Sequence, residues 1–390
     1  MSNEINDLAQ TPSLFSEFAL PEPLLEAIDD LGFTECTPIQ SAVLPFSLSD
    51  YDITGQAQTG TGKTAAFLIT ILTKLWEEGS ENPGKKFPRA LILAPTRELA
   101  MQIESDGREL SKYMGFTLQS IVGGIDYQKQ LNSLQSDPAD IVVATPGRLI
   151  DFLNRKYLSL GDIKTLVIDE ADRMLDMGFI PDVRSIVYKT PQKSRRQTLF
   201  FSATFSEPVI RLANSWTLKP ERVVIEPENV ATDTVDQQFW LTSTKEKNQL
   251  LAKFMSTTKP NRALIFANRR DRAHSLMKYL KQNDISCEVL AGDIPQPRRL
   301  ATLKRFKEGG IPYVVATDVA GRGIHVEGIS HVVNYDLPED PQDYVHRIGR
   351  TGRAGAPGIS ISLISEDDAF NLPLLEEFLG SPINCIQPTV

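Results

Sequence analysis

The chain has 390 residues, 41% of them hydrophobic and 23% charged; at roughly 150 residues per domain that is two or three ordinary folded domains, and it excludes a small stapled scaffold, wholesale disorder and a collagen-like repeat. Its formal net charge of -9, from 41 Lys+Arg against 50 Asp+Glu, disfavours broad attraction to nucleic acid or anionic lipid, so any polyanion has to be gripped by a local patch. The three cysteines, Cys36, Cys287 and Cys385, are an odd count without CxxC spacing, which argues against a disulfide framework or a zinc site and fits a reducing cytoplasm.

Along the chain, short apolar runs alternate with stretches of helical period, the pattern of a parallel α/β sheet. In the first half the runs are Leu91–Ala94, Ile141–Ala144, Leu166–Ile168 and Leu199–Phe201. The series restarts with Ala263–Phe266, Tyr313–Ala316, His331–Val333 and Ile359–Ile361, and Trp240 is expected to begin the first strand of this half. Between the two halves, residues 219–234 combine two prolines with clustered charge and no sustained period, the character of a linker. The expectation is an α/β protein of two tandem units, 1–218 and 235–390, each a mostly parallel sheet flanked by helices. No apolar run reaches the roughly 18 residues of a membrane span, and Met1 to Gln10 lacks the basic and apolar regions of a signal peptide. A cytoplasmic protein without a membrane segment is expected.

The first chemical signal is Ala57-Gln58-Thr59-Gly60-Thr61-Gly62-Lys63-Thr64, followed by a helical stretch, Ala65 to Trp76. It has the form of a phosphate-binding loop. Backbone N–H groups close around phosphate oxygens where glycine permits, Lys63 reaches the outer phosphates, and Thr64 can ligate Mg²⁺. Ala57 stands where the strict pattern has glycine. The second signal, Asp169-Glu170-Ala171-Asp172, directly follows an apolar run. Ligands of doubly wound sheets sit beyond the carboxyl ends of strands, so Asp169 can hold Mg²⁺ there and Glu170 can orient water.

These motifs, with the segments around them, resemble the DEAD-box RNA helicases in order along nearly the whole chain. The resemblance implies two RecA-like domains, ATP with Mg²⁺, and RNA held mainly by its backbone with little sequence specificity. Gly32-Phe33-Thr34-Glu35-Cys36-Thr37-Pro38-Ile39-Gln40 is similar to the family's adenine-reading segment, with Gln40 as the reader and Phe15 as the stacking aromatic; Cys36 replaces the usual proline. By the same resemblance Gln58, Thr59, Gly60, Thr61, Gly62, Lys63 and Thr64 bind ATP. Pro95, Thr96, Arg97, Gly124, Thr145 and Arg148 contact RNA, and Ser202 and Thr204 couple the ATP state to it.

In the second half Gln296, Arg299 and Thr317 are the implied RNA contacts, Arg350 and Arg353 the implied arginine fingers, and His346 the implied coupling residue. One departure is Gly321-Arg322-Gly323-Ile324-His325, where the family commonly ends in aspartate. That histidine, Cys36 and the run Ala369-Phe370-Asn371-Leu372-Pro373 place the chain nearest the branch associated with the bacterial RNA degradosome. The expected activity is that of an RNA-dependent ATPase, a monomer separating short RNA duplexes in RNA turnover. The alternative is an ATP-gated RNA clamp or degradosome scaffold. No basic tail follows Val390, so either an endoribonuclease or another degradosome component supplies the RNA, or the sequence is a truncated one. Trp76 and Trp216 are expected in the core, His274 and His331 have no ligand set around them, and the cysteines are expected to be packing residues.

Overall fold

The computed structural model describes residues 14–57, 60–79, 87–225, 235–318, 326, 328–352 and 357–388. The chain forms two compact units, Met1–Pro227 and Glu228–Val390. In the first, the strands are β1 (Ile53–Gln56), β2 (Ala90–Leu93), β3 (Leu118–Ile121), β4 (Ile141–Ala144), β5 (Thr165–Ile168), β6 (Gln197–Ser202) and β7 (Glu221–Val224). They form one parallel sheet in the order β3-β4-β2-β5-β6-β1-β7. In the second, β8 (Val235–Leu241), β9 (Ala263–Phe266), β10 (Cys287–Leu290), β11 (Tyr313–Ala316), β12 (His331–Asn334), β13 (Gly358–Ile364) and β14 (Cys385–Ile386) run parallel in the order β10-β11-β9-β12-β13-β8-β14. Substituting β8 for β1, β9 for β2 and so on turns one order into the other, so the two units share a topology.

The apolar runs became strands because both faces of each sheet are covered by helices. Two separate cores cover the first sheet: Val143 and Phe201 belong to one, Val142 and Phe200 to the other. Strands buried on both faces read as continuous apolar runs. Several strands escape that rule, β7 (Glu-Arg-Val-Val) and β8 (Val-Asp-Gln-Gln-Phe-Trp-Leu) at or near a sheet edge among them. β1 reads Ile-Thr-Gly-Gln, β3 Leu-Gln-Ser-Ile and β10 Cys-Glu-Val-Leu. The glycine of β1 has a packing reason, since a Cβ on Gly55 would lie 2.5 Å from the Phe201 ring.

The structure corrects several expectations. Glu221–Val224 lies in the segment read as linker, yet it pairs in register with β1 as the edge strand of the first sheet. Trp76 is 43% exposed, whereas Trp216 is buried. Trp76 is the next-to-last residue of its helix, Lys63–Glu77, where the sheet no longer covers it. Trp240 lies near the end of β8, not at its start. Cys36 and Cys287 are buried packing residues, and burial pushes their thiols up to about 12 and about 11. Among the described residues no helix is long and apolar enough to cross a membrane, and no group of three or more His, Cys, Asp or Glu side chains could hold a metal ion.

Candidate active site and nucleic-acid interface

In a parallel sheet all carboxyl ends face one way. The segments that follow the strands of the first unit therefore line one edge, and the strand order sorts them. The segments after β5, β6 and β1 carry the acidic motif, Ser202-Ala203-Thr204 and the phosphate loop; those after β3, β4 and β2 carry Gly123-Gly124, Thr145–Arg148 and Pro95–Arg97.

The phosphate loop turns through Gly60 and Gly62, whose φ angles of 89° and 96° favour glycine. Gly62 is the residue before the helix Lys63–Glu77, and a Cβ there would lie 2.7 Å from both Gln40 Nε2 and Thr37 Oγ1. The loop is thus held close to the helix Pro38–Ser47. Gln40 Nε2 donates to the Gly62 carbonyl at 3.1 Å, and Gln40 Oε1 accepts from the Thr37 N–H at 2.8 Å. A primary amide has two N–H donors and two lone pairs. One of each therefore remains for a ligand. Lys63 is 5% exposed and donates to the Ala57 carbonyl at 2.5 Å. An ammonium has three protons, so the residue is anchored without being used up. Phe15 is buried in the core beside this segment, which the bridge Leu14↔Glu35 brings alongside. Gln58 and Thr59 lie outside the described residues.

Asp169 follows β5, its N–H donating to the Leu93 carbonyl of β2 and its Oδ1 accepting from the Glu170 N–H. Burial pushes its carboxyl up to about 6, the Lys63 ammonium opposing that rise and Glu170 adding to it. Glu170 has φ 51° and ψ 53°, left-handed backbone that a non-glycine residue adopts at a cost of about 1–3 kcal/mol. That strain turns its side chain onto Arg173, whose Nη1 lies 2.9 Å from Glu170 Oε2 in a buried pair. Asp172 points elsewhere. Its Oδ2 accepts from the Thr204 N–H at 2.8 Å and from Thr204 Oγ1 at 3.0 Å, while its own N–H donates to Ser202 Oγ at 3.1 Å. The Ser202 carbonyl in turn accepts from the Ala57 N–H at the start of the phosphate loop. The acidic motif, the Ser-Ala-Thr segment and the phosphate loop are therefore one bonded unit. Asp172 was not singled out in the sequence, although it stands in the same tetrapeptide as Asp169 and Glu170.

On the other half of the edge, Thr96 caps the helix Arg97–Leu110 by accepting from the Leu99 N–H. Arg97 extends across to Gly123, where a Cβ would come within 3.4 Å of its Nη2. Arg148 lies over the Tyr127 ring with its Nη2 3.5 Å from the Ile125 carbonyl. Pro95, Thr96, Arg97, Gly124, Thr145 and Arg148 thus gather on three adjacent strand ends, where three helices, Arg97–Leu110, Tyr127–Ser136 and Pro146–Asn154, also begin. Helix N-termini bring positive potential and backbone N–H groups to such a surface.

In the second unit Gln296 and Arg299 occupy the first turn of the helix Gln296–Lys307, and Thr317 follows β11 with its N–H on the Leu290 carbonyl of β10. All three sit at one corner of the sheet and are buried. His346 is half-buried, with Nδ1 3.8 Å from Asp343 Oδ1. Arg350 is buried, and its Nε donates to the His346 carbonyl at 3.2 Å. Arg353, Arg322 and His325 lie outside the described residues.

The strongest feature of this unit is Arg347, which its motif contains but the sequence did not single out. It is 2% exposed. Its Nε and Nη2 each lie 2.6 Å from an Asp318 carboxylate oxygen, Nη2 also donates to Asn268 Oδ1 at 2.7 Å, and Nη1 donates to the Asp336 carbonyl at 2.6 Å. One planar fork ties together the segments beyond β9, β11 and β12. No local pattern distinguishes such an arginine from a surface one.

With this geometry in hand, the chain was compared with known proteins. Residues 37–212 match the DEAD/DEAH box helicase family and residues 246–355 the helicase conserved C-terminal domain. The ATP-dependent RNA helicase RhlB of Pseudomonas putida is 52% identical over 377 residues, covering 96% of this chain and 94% of that protein. The RhlB protein of Pseudomonas aeruginosa is 53% identical over the same shares. Among solved structures, Saccharomyces cerevisiae Dbp5 bound to RNA and ADP BeF3 matches with a TM-score of 0.84 at 32% identity, covering 96% of this chain and 95% of that one. Mss116 bound to ssRNA and UDP-BeF matches with a TM-score of 0.85 at 30% identity, over 97% and 80%. The two sheets are accordingly tandem RecA-like domains, and the chain belongs to the DEAD/DEAH-box helicase family, among the RhlB-type members of its DEAD-box branch.

Proposed function

We propose that the protein is an ATP-dependent RNA helicase that binds one RNA strand and separates short duplexes locally as it hydrolyses ATP. The observation that carries this reading is the Asp172 carboxylate on Thr204, which ties the acidic motif after β5 to the Ser-Ala-Thr segment after β6, beside the phosphate loop. The relatives' name and the RNA and nucleotide analogue in the neighbouring structures support it.

In this reading the N–H groups of the loop through Gly60, Thr61 and Gly62 cradle the phosphates of ATP, and Lys63 moves from the Ala57 carbonyl to an outer phosphate. Gln40 spends its remaining donor and acceptor on the adenine edge, flanked by Phe15. Thr64 and the buried Asp169 fit a hard cation: a carboxyl that burial disfavours as an anion gains most from one. Bound there, Mg²⁺ would supply positive charge to the transferring phosphate. Glu170 takes the proton of the attacking water, its strained backbone holding it in place. Arg350 and Arg353, with His346, complete the site from the second domain, so hydrolysis depends on closure.

RNA lies by its backbone on Pro95–Arg97, Gly124, Thr145 and Arg148 in one domain and near Gln296, Arg299 and Thr317 in the other. Backbone contacts carry no sequence information. Ser202 and Thr204 pass the ATP state to that surface through Asp172. We place the protein in the cytoplasm, as a monomer acting in RNA turnover with an endoribonuclease or other degradosome components. The second reading, a clamp or scaffold with little unwinding, rests on the burial of Arg350, which must be freed before it can meet a transferring phosphate.

The test is steady-state ATP hydrolysis with and without single-stranded RNA, with DNA of the same length as control. Stimulation by RNA alone is expected, and equal stimulation by DNA would overturn the RNA reading. Duplex separation at catalytic protein concentration distinguishes helicase from clamp.

A further inference from the structure

At the amino-terminal end of β6, the opposite end of the first sheet from the phosphate loop, a cavity of about 800 Å³ opens between the helices Ile180–Val187 and Glu207–Trp216. Its lining includes Arg184, Tyr188, Lys193, Arg196, Arg211 and Trp216, and no aspartate or glutamate. Between Asp182 and Glu207 the sequence places Arg184, Lys189, Lys193, Arg195 and Arg196 and not one carboxylate. In a chain of net charge -9 that is a local inversion of sign.

The cations divide into two sets. Arg196 and Lys193 build the floor: Arg196, buried, donates to Thr190 Oγ1, Thr198 Oγ1 and the Pro191 and Trp216 carbonyls, and Lys193 caps the helix Glu207–Trp216 through the Asn214 and Thr217 carbonyls. Arg211 is paired at the rim with Glu207. Arg184, Lys189 and Arg195 are exposed, and among the described residues their side chains meet no carboxylate. Tyr188 stands in their midst, 82% exposed. A large aromatic so exposed loses apolar burial unless something covers it.

We propose that this face is a second RNA-binding surface, which takes the strand or duplex arm flanking the one on the motif-lined edge. Exposed cations around a bare aromatic ring are what a single strand uses, phosphates on the cations and a base stacked on the ring. An acidic peptide would meet the same charges and could use the apolar lining of the cavity, Leu175, Ile180, Leu212 and Leu218 among it, so it is the competing occupant that the test separates. The surface supplies a grip that keeps RNA near the enzyme between turnovers. The inference rests on the RNA reading above.

The test compares the full chain with the triple variant Arg184→Gln, Tyr188→Ala, Lys189→Gln. Half-saturation of the ATPase is measured with RNA of about 8 nucleotides, enough for one surface, and of about 30, enough for both. The variant should match the parent on the short RNA and need about tenfold more of the long one. The slope of log affinity against log salt for the long RNA should fall by about 1.4, the loss of two single-strand phosphate contacts. Equal half-saturation of parent and variant on long RNA would overturn the proposal, as would loss of binding to an acidic peptide with RNA affinity intact. If short RNA fails to stimulate the parent, the helicase reading fails instead; direct binding of long RNA to parent and variant without nucleotide then still decides this surface.

Discussion

The two domains share one topology, and the first residue of the helix after the equivalent strand is a lysine in both: Lys63 after β1 and Lys247 after β8. Their surroundings differ completely. Lys63 follows a glycine loop open to a ligand and makes one contact, to the Ala57 carbonyl. Lys247 is 0% exposed, its Nζ 2.6 Å from Asp368 Oδ2 and 2.9 Å from the Tyr335 carbonyl, with Asp336 at 3.8 Å. The loop before it, Thr242 to Glu246, has no glycine, and the Thr244 N–H and hydroxyl are closed onto Glu366. At the same place in the same fold, one lysine is left unbonded to any carboxylate and the other is locked between two aspartates. The comparison teaches that the loop before the helix, and not the sheet, decides what this position can do.

Substitution can break that comparison. Lys63→Ala and Glu170→Gln should each lower ATP turnover by roughly 10²–10⁴-fold, Glu170→Gln sparing ATP binding but lowering the urea midpoint of the first domain, because it leaves the buried Arg173 without its carboxylate. Turnover of Glu170→Gln at the parent rate would remove its assignment as the base. Lys247→Met should do the reverse, leaving ATP binding to the first domain intact while costing about 3–5 kcal/mol through the stranded carboxylates. A chemical-denaturation curve of the full chain, followed at Trp240, reads this directly.

A subtler break concerns the bond between the acidic motif and the Ser-Ala-Thr segment. Asp172→Asn weakens two hydrogen bonds to Thr204 worth about 1.5–3 kcal/mol each when one partner is charged. It should uncouple the activities, RNA still binding and ATP still turning over at a basal rate, with duplex separation reduced. Wild-type unwinding by this variant would show that the contact carries no coupling.

The smallest expected effect is one of pH. Asp169 has its carboxyl pushed up to about 6 from an ordinary value of 3.8. A folded value above the unfolded one means that the folded chain binds the proton more tightly between those limits, so this group costs stability above about pH 6 and the cost fades as pH falls. Asp169→Asn should therefore be more stable than the parent at pH 8, by on the order of 3 kcal/mol, with the gap shrinking below about pH 6 and closing only near pH 4. Asp368 in the other domain behaves oppositely. Despite the desolvation that opposes it, Lys247 and the N–H groups around it hold its carboxyl below the usual range, so its contribution is present above pH 4 and lost as pH falls further. Thermal melts of the two Asn variants across pH 4–8 that ran parallel would contradict the contrast.

Much of this molecule was readable before any coordinates. Each of the eight apolar runs lies within or across a strand, because a strand covered on both faces has no polar position to interrupt it. The phosphate loop and the acidic tetrapeptide were readable because their function needs contiguous residues. β1, with Gly55 under the Phe201 ring, was not readable as a strand: its burial is decided by a neighbour nearly 150 positions away. The edge strand β7 was read as linker because its residues, Glu221 and Arg222 among them, are those of a half-solvated chain. Its partner β1 was needed to see it.

By itself the sequence determined the two-unit α/β plan, the phosphate-loop and acidic motifs of the first unit and the family resemblance, all of which depend on local pattern and on motif order. The tertiary structure alone decided which charges work and which are retired. Arg347 became a buried fork on Asp318 and Asn268, Lys247 an ion cluster, Asp172 the clamp on Thr204, and Trp76 a surface residue. The physical reason is that a charged side chain's role is set by its distance to partners and by its removal from water, and both are properties of strand order that no short window of residues contains.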